Sequence, residues 1–519
     1  MDKVLVFGTS DVGSIPAGGT NVRETKGILN TMKKSLDIPK PIKNISKILS
    51  DAGFENFVVG GCVRDLILNR EPKDWDLTTN ATPEQIIELF PHTFYENEYG
   101  TVGVVNDDEP NEILKTVEVT PYRIESEYSD FRRPDKIKWG KTLAEDLARR
   151  DFTINALAYD VQKKELVDLF DGIKDCERKI IRTVGKPEDR FGEDALRMLR
   201  ALRFASTLDF ALEHETQEAI QKNAELLKHI SRERVRDEFT KIIMSDSPAV
   251  ALDLSARLGL LKFISPEFEK GVGIEQNQAH AFTVWEHLLR SLDHSAKKNL
   301  PIHIRLATLM HDIAKPHTKR WQNGQWTFYG HEVVGSKIAK DVLMDLKFPK
   351  DIVEKVTKLV RWHMFFSDTE EISLSAVRRM VRNVSPELIW DLMEVRACDR
   401  IGTGRPKESP YRLRKYHSMI EEVMRDPISV KQLKVDGEEI MKLTKAGPGP
   451  HIGFILEILL SEVLEKPSLN TEEYLESKVS ELYALKPIEL MKLGKEAKKK
   501  NENEDEKEIE MIKGKHGVR

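Results

Sequence analysis

Cysteine is scarce in this chain. Cys62, Cys176 and Cys398 are the only three in 519 residues, and none falls in a CxxC spacing. That excludes a disulfide framework and points to a reducing compartment, the cytoplasm. Long apolar runs are missing too. Nothing approaches the roughly 20 residues needed to span a bilayer, so no membrane partner is expected. The opening MDKVLVFGTSDVG has neither the basic flank nor the long apolar segment of a secretory signal. A large excess of one charge is also absent, since 81 Lys+Arg against 86 Asp+Glu leave a formal net charge of −5. The whole chain is therefore no polycation, and any contact with nucleic acid must use local basic patches. The Gly-rich stretch GTSDVGSIPAGGT lacks the GxxxxGK[ST] pattern of a phosphate-binding P-loop. No regular internal repeat is present.

What is there is the composition of a multidomain soluble protein, 40% apolar and 32% charged. Between residues 41 and 173 short apolar runs alternate with turns (NFVVGG, WDLTT, TVGVVN, KTVEVTPYR, NALAYD), which predicts a small mixed sheet with helices beginning near Ile42 and Pro83. From residue 174 to 270 the apolar spacing becomes 3–4, the period of helices. Residues 276–410 are helical and rich in His and Asp, and 411–490 hold further helices broken by KAGPGPHIG, whose Gly447–Pro450 run predicts a rigid turn before a helix. Residues 1–40 read as an extension. Residues 491–519 read as a charged, disordered tail.

The most informative stretch is GGCVRDLILNREPKDWDL, starting at Gly60. Asp74 and Asp76, read as positions i and i+2 of a strand, would project from one face. Paired carboxylates suit Mg²⁺, which takes oxygen ligands and shares them with substrate phosphates. Gly60 and Gly61 let the backbone approach an anion, and Arg64 can neutralise it. This is the layout of a site that joins nucleotides by metal-assisted phosphoryl transfer. Downstream, Arg149 to Asn155 form a charged cluster running into an apolar segment. Arg197, Arg200 and Arg203 recur every three residues on a helix whose other face carries Leu196, Leu199, Leu202 and Phe204. Three arginines on one face, with no interleaved acids, would repel one another without an anion, so that face looks toward either water or a triphosphate.

Taken together, these motifs resemble the class II tRNA nucleotidyltransferases (CCA-adding enzymes) and the related bacterial poly(A) polymerases. GGCVRD with DWD, RRDFTIN, DLFDGIKD, EDALRMLRALRF and RERVRDEFTKII occur in the family's order over residues 41–270. The resemblance implies an α+β fold: a small mixed-sheet nucleotidyltransferase head followed by mainly α-helical neck, body and HD domains. It implies two-metal nucleotidyl transfer, in which Asp74 and Asp76 hold two Mg²⁺ ions at the catalytic centre with Glu118 as a third acidic group. Gly60, Gly61 and Arg64 would cradle the triphosphate, and Arg150, Asp151 and Asn155 would meet phosphate and ribose. Asp194 and Arg197 would read the base edge that cytosine and adenine share, with Arg200 and Arg203 continuing that face. The segment between Tyr122 and Asp151 corresponds to a loop kept in full CCA-adding members, which favours addition of both C and A.

His287, the adjacent His311 and Asp312, and Asp399, with His331 and His363 between, match the signature of the HD superfamily of metal-dependent phosphohydrolases. Imidazoles with carboxylates suit a divalent metal that activates water against a phosphoester. His280 and His303 read as bystanders. The implied partners are tRNA, CTP and ATP. The RNA should lie along basic surface that includes Arg132, Arg133, Lys136, Lys138 and Lys141. Two alternatives keep the same motifs: a poly(A) polymerase, or an HD-type phosphohydrolase whose head only binds RNA.

Overall fold

The computed structural model describes residues 31–95, 100–125, 137–276, 281–322, 324–365 and 372–515. The expected fold class is the one observed, a mixed-sheet head followed by helical regions. The chain divides into two compact units. One holds Met1–Tyr122, Thr142–Leu147 and Asn155–Ile173; the other holds Arg123–Lys141, Ala148–Ile154 and Lys174–Arg519.

In chain order the strands are β1 (Thr31–Lys33), β2 (Asn56–Val59), β3 (Asp76–Thr79), β4 (Thr93–Tyr95), β5 (Val102–Val105), β6 (Thr116–Pro121), β7 (Arg123–Glu125), β8 (Ile137–Trp139), β9 (Leu157–Asp160) and β10 (Glu165–Asp168). Eight of them build the sheet of the first unit in the order β1-β10-β9-β2-β3-β6-β5-β4. The β3–β6 pair is parallel and its neighbours are antiparallel. The central strands β2 and β9 are buried at all four positions, as strands covered on both faces must be. In β6 the pattern alternates, with Val117, Val119 and Pro121 buried and Glu118 on the other face. Phe57, Val59, Tyr122, Leu143, Leu147, Ala158 and Val167 form one core cluster. The two expected helices start where the sequence places them, at Lys40–Asp51 and Pro83–Leu89. The second is closed by a Thr82/Gln85 capping box, which satisfies two N-terminal amides. Residues 31–33, assigned to the extension by sequence, instead pair antiparallel with β10 as the sheet's edge strand.

The second unit is helical, apart from short pairs such as β7 with β8. The Leu196–Leu208, Arg232–Ile243 and Pro248–Arg257 helices precede a group that carries the His and Asp motifs: Val284–Lys297, Ile302–Met310, His331–Asp345, Lys350–Trp362 and Ile389–Gly402. Pro450 opens the Pro450–Glu465 helix, so the Gly-Pro run makes the expected break. One expectation fails here. The chain from Pro487 to Lys515 is a helix, not a disordered tail. Its Lys, Glu and Ala content favours helix, and its first half has something to pack on. Leu490 is buried, Gly494 lies against Phe454, and the Asn501 side-chain amide donates to the Glu457 carbonyl at 3.4 Å.

Candidate functional site

In the first unit, β3 begins at Asp76, and Asp74 sits in the bend before it rather than on the strand. The parallel ladder sets Asp76 opposite Glu118, so these two carboxylates share a face, and the Glu118 amide donates to the Trp75 carbonyl at 3.2 Å. Gly60 has φ 81°, a conformation that favours glycine, and ends β2 against the short Gly61–Ile67 helix. A Cβ at Gly61 would stand 3.6 Å from the Arg64 guanidinium and 3.9 Å from Asp74 Oδ1. Arg64 is buried. Its Nη1 donates to Asn155 Oδ1 at 2.6 Å and its Nε to Asp65 Oδ1 at 2.9 Å. Asn155 thus orients an arginine 91 positions away in sequence. Burial pushes the Cys62 thiol up to about 12, and the Asp76 and Asp74 carboxylates add to the shift, a sign that their charges concentrate here. Burial also raises Asp65, with Asp74 contributing and Arg64 opposing.

In the second unit the arginine row lies on the Leu196–Leu208 helix, and its expected hydrophobic face is buried. The need for an outside anion is not borne out, because neighbouring acids already face the row. Arg197 is buried and bonds to Glu193, to the Arg190 carbonyl at 3.1 Å and to the Arg149 carbonyl at 3.1 Å. Arg200 grips Asp151 Oδ2 through Nε at 2.8 Å and Nη2 at 2.6 Å, and Arg203 Nε meets Glu238 Oε2 at 2.8 Å. Burial alone would lower the Arg200 guanidinium, but Asp151 and Glu238 outweigh it and hold it above its ordinary value. Asp194 receives a two-pronged contact from Arg234, at 3.2 and 2.7 Å. Glu193, Arg234 and Glu238 were not singled out from sequence. Only Glu193, four residues before Arg197, had a local signal. Arg150 is half-buried between Arg149 and Asp151. Among the expected RNA-binding residues, Lys141 is exposed and Lys138 lies on β8, while Arg132, Arg133 and Lys136 fall outside the described residues.

The second unit also holds the two groups of three donors, among the described residues, whose atoms lie within 4.8 Å of one another: His287, His311 and Asp312, and Asp312, His331 and His363. Asp312 divides its oxygens between them. Oδ2 lies 3.2 Å from His287 Nε2 and 3.3 Å from His311 Nε2, while Oδ1 lies 3.1 Å from His331 Nε2 and 3.6 Å from His363 Nε2. Asp399 Oδ1 lies beside the first group, 3.3 Å from His287 Nε2 and 3.6 Å from His311 Nε2. The Nδ1 atoms of His311, His331 and His363 bond to the carbonyls of Thr308, Phe328 and Val360 at 2.8, 2.7 and 2.8 Å. Each Nε2 is thereby aimed inward, as metal-ligating histidines require.

The charges within the cluster offset one another. Burial opposes ionisation of His311, yet Asp312 and Asp399 raise it to about 10. Burial lowers His363 to about 4, helped by the neighbouring His311 and His331. Burial works against the Asp312 carboxylate, but Lys315, whose Nζ is 2.6 Å away, and His311 hold it well below the usual range. His287, His311, Asp312 and Asp399 are thus brought together as expected, joined by His331 and His363. His303 pairs elsewhere, with Asp391 at 2.7 Å, and His280 lies outside the described residues. Buried, inward-facing imidazoles and carboxylates fit a divalent metal.

Three family models match in succession: "Poly A polymerase head domain" over residues 56–182, "Probable RNA and SrmB- binding site of polymerase A" over 209–271, and "HD domain" over 280–397. A CCA-adding enzyme of Limosilactobacillus reuteri is 32% identical over 453 residues, which is 85% of this chain and 96% of that one. One from Lactobacillus helveticus is 51% identical over 199 residues, 38% of this chain and 48% of its own. Among solved structures, the Bacillus stearothermophilus CCA-adding enzyme in complex with CTP is 28% identical with a TM-score of 0.64, covering 86% of this chain and 98% of that one. The Thermotoga maritima CCA-adding enzyme complexed with tRNA shares the fold at 20% identity and a TM-score of 0.51, over 86% of this chain and 96% of its own. No described helix is long and apolar enough to cross a membrane.

Proposed function

The chain belongs to the family of CCA-adding enzymes, and on that footing we propose that it extends tRNA 3′ ends with C and A from CTP and ATP, without a nucleic-acid template, in the cytoplasm. The observation that carries this reading is the Asp76–Glu118 pairing on parallel strands, with Asp74 two residues ahead and Arg64 fixed by Asn155. Asp74 and Asp76 would hold Mg²⁺, with Glu118 beside them. Bound there, the metal supplies Lewis-acid chemistry that activates the RNA 3′-hydroxyl and steadies the α-phosphate. Gly60, Gly61 and Arg64 bind the triphosphate, and Arg150, Asp151 and Asn155 serve the phosphate and ribose end. Asp194 and Arg197 recognise the base edge: an acceptor and a donor fork match the amine and ring nitrogen common to cytosine and adenine. Arg200 and Arg203 extend that surface, and Lys138 and Lys141 belong to the basic stretch offered to tRNA. The test is a product-sizing assay on tRNA lacking its CCA end, supplied with all four nucleotides. A discrete three-nucleotide extension supports the proposal, whereas a long A ladder makes the protein a poly(A) polymerase.

The buried His/Asp cluster favours a second activity, hydrolysis of phosphoesters at RNA ends. His287, His311, Asp399 and one oxygen of Asp312 would hold one divalent ion, and the other oxygen of Asp312 with His331 and His363 a second. Such ions supply an activated water. The three carbonyl-anchored imidazoles keep the pocket's shape as it loads. Metal-dependent release of phosphate from an RNA 3′-phosphate, lost in Asp312→Asn while CCA addition persists, tests this part.

A further inference from the structure

Between Asp312 and His331 the chain makes an excursion that neither activity uses. After the short Lys315–Thr318 helix, strands Arg320–Gln322 and Gln325–Thr327 pair antiparallel, with Trp321 directly opposite Trp326. The two indoles meet edge to face at 4.9 Å between centroids, and Lys319 Nζ stands 4.3 Å from the Trp326 ring. Trp321 is 61% exposed, Arg320 is exposed, and among the described residues no carboxylate pairs with Lys319 or Arg320. A two-stranded hairpin is marginal by itself in water, and one that leaves Trp321 outside and Trp326 only half-buried gains little core from them. The hairpin is also tied to the metal cluster. Thr327 at its base is buried. The next residue, Phe328, accepts the His331 Nδ1 hydrogen bond at 2.7 Å and sets its ring 5.6 Å from Lys315 Nζ, which itself bonds to Asp312.

We propose that hairpin 320–327 is a stacking platform for the unpaired bases of a single-stranded RNA end, whose terminal phosphoester is thereby seated at the His/Asp cluster. This rests on the phosphohydrolase reading of that cluster and narrows its substrate from phosphoesters in general to those that carry bases. The exposed indole of Trp321, with half-buried Trp326 beside it, offers a surface on which any base stacks, and Lys319 and Arg320 supply the charge a phosphate backbone seeks. Recognition of this kind is tolerant of sequence and sensitive to salt.

The test uses the full chain and a single-stranded RNA pentamer carrying 5-iodouridine near a 3′-phosphate. Irradiation should crosslink the tryptic peptide spanning residues 321–337. Trp321→Ala and Trp326→Ala should each weaken pentamer binding by ~5- to 100-fold, the range for loss of one base–aromatic stack. Trp321→Phe and Trp326→Phe should keep most of the affinity, and CCA addition should stay intact as evidence of folding. Crosslinks confined to other peptides, with both Ala variants binding like the parent, would overturn the platform even if the Mn²⁺-loaded chain cleaves RNA 3′-phosphates. Crosslinks in residues 321–337 without any such cleavage would sustain the platform and sink the hydrolase reading instead. A hairpin that binds peptides but not the pentamer also overturns the proposal.

Discussion

Gly402 ends the Ile389–Gly402 helix where it presses on the Val284–Lys297 helix that carries His287. A Cβ there would stand 2.0 Å from Ser291 Oγ, 2.9 Å from the His287 carbonyl oxygen and 3.0 Å from His287 Nδ1. Ser291 can rotate away, but it then gives up its 2.8 Å hydrogen bond to that same carbonyl, worth ~1 kcal/mol. The carbonyl and the imidazole cannot rotate away, so the two helices must part. Overpacking of this kind costs ~1–3 kcal/mol. Moving His287 by a few tenths of an ångström also spoils a ligand to the first donor group, and disturbed support of a ligand typically weakens metal binding by ~10- to 100-fold. Gly402→Ala should therefore lower the urea midpoint followed by circular dichroism. It should also lower Mn²⁺ affinity measured against a chromophoric chelator. Adding Ser291→Ala should recover only the hydroxyl's share, because the contacts with His287 remain. A Gly402→Ala protein with unchanged midpoint and unchanged Mn²⁺ affinity would refute the reasoning; lost stability with full affinity would break the link to His287.

Other consequences can be checked separately. Asp74→Ala and Asp76→Ala should each cut CMP and AMP incorporation by ~10³-fold or more, as expected when a metal's several kcal/mol are lost, with tRNA binding in a filter assay held near the parent value. Asn155→Ala removes a buried hydrogen bond to a charged group, worth ~1.5–3 kcal/mol, so the KM for both nucleotides should rise while tRNA affinity is kept; an unchanged KM would show that Arg64 needs no such support. The third concerns acid stability. Burial lowers His294, Lys298 and Lys297 add to the shift, and Glu408 Oε2 at 3.4 Å opposes it. A depressed folded value means that the unfolded chain takes up the proton first. Stability should fall as pH drops through about 6.5, the ordinary histidine value, and level off once the folded group also protonates. Thermal melts from pH 7.5 to 5 should show this slope, and His294→Gln should lessen it, leaving the part that comes from His363 and His417, which burial also lowers.

The His/Asp cluster was legible because its donors sit in short motifs on or at the ends of strongly periodic helices, so order along the chain translated directly into proximity. The sheet was legible for a similar reason: runs such as NFVV and KTVEV announce burial. Charge pairing was not. The partners of Arg200, Arg203 and Asp194 come from Asp151, Glu238 and Arg234, which lie 35 to 49 positions away in sequence, as the numbering itself shows. Hydrophobic periodicity reports which face is buried and says nothing about which ion meets which. Asp74 misled for a local reason: Lys73 and Asp74 form a bend and the strand starts only at Asp76, so the pair is not carried on one strand. The C-terminal helix misled through composition. A Lys/Glu-rich segment looks self-sufficiently solvated until a neighbour such as Phe454 gives it a surface to lie on.

Asp312 is the only side chain common to both donor groups. Evolutionary drift can therefore dismantle the centre by two quite different routes. If each half holds an ion as proposed, mutation at His331 or His363 would strip one half and leave a single-ion remnant able to persist in a lineage. Mutation at the shared aspartate erases both halves in a single step, so descendants that have lost it should retain the helical scaffold as an inert relic.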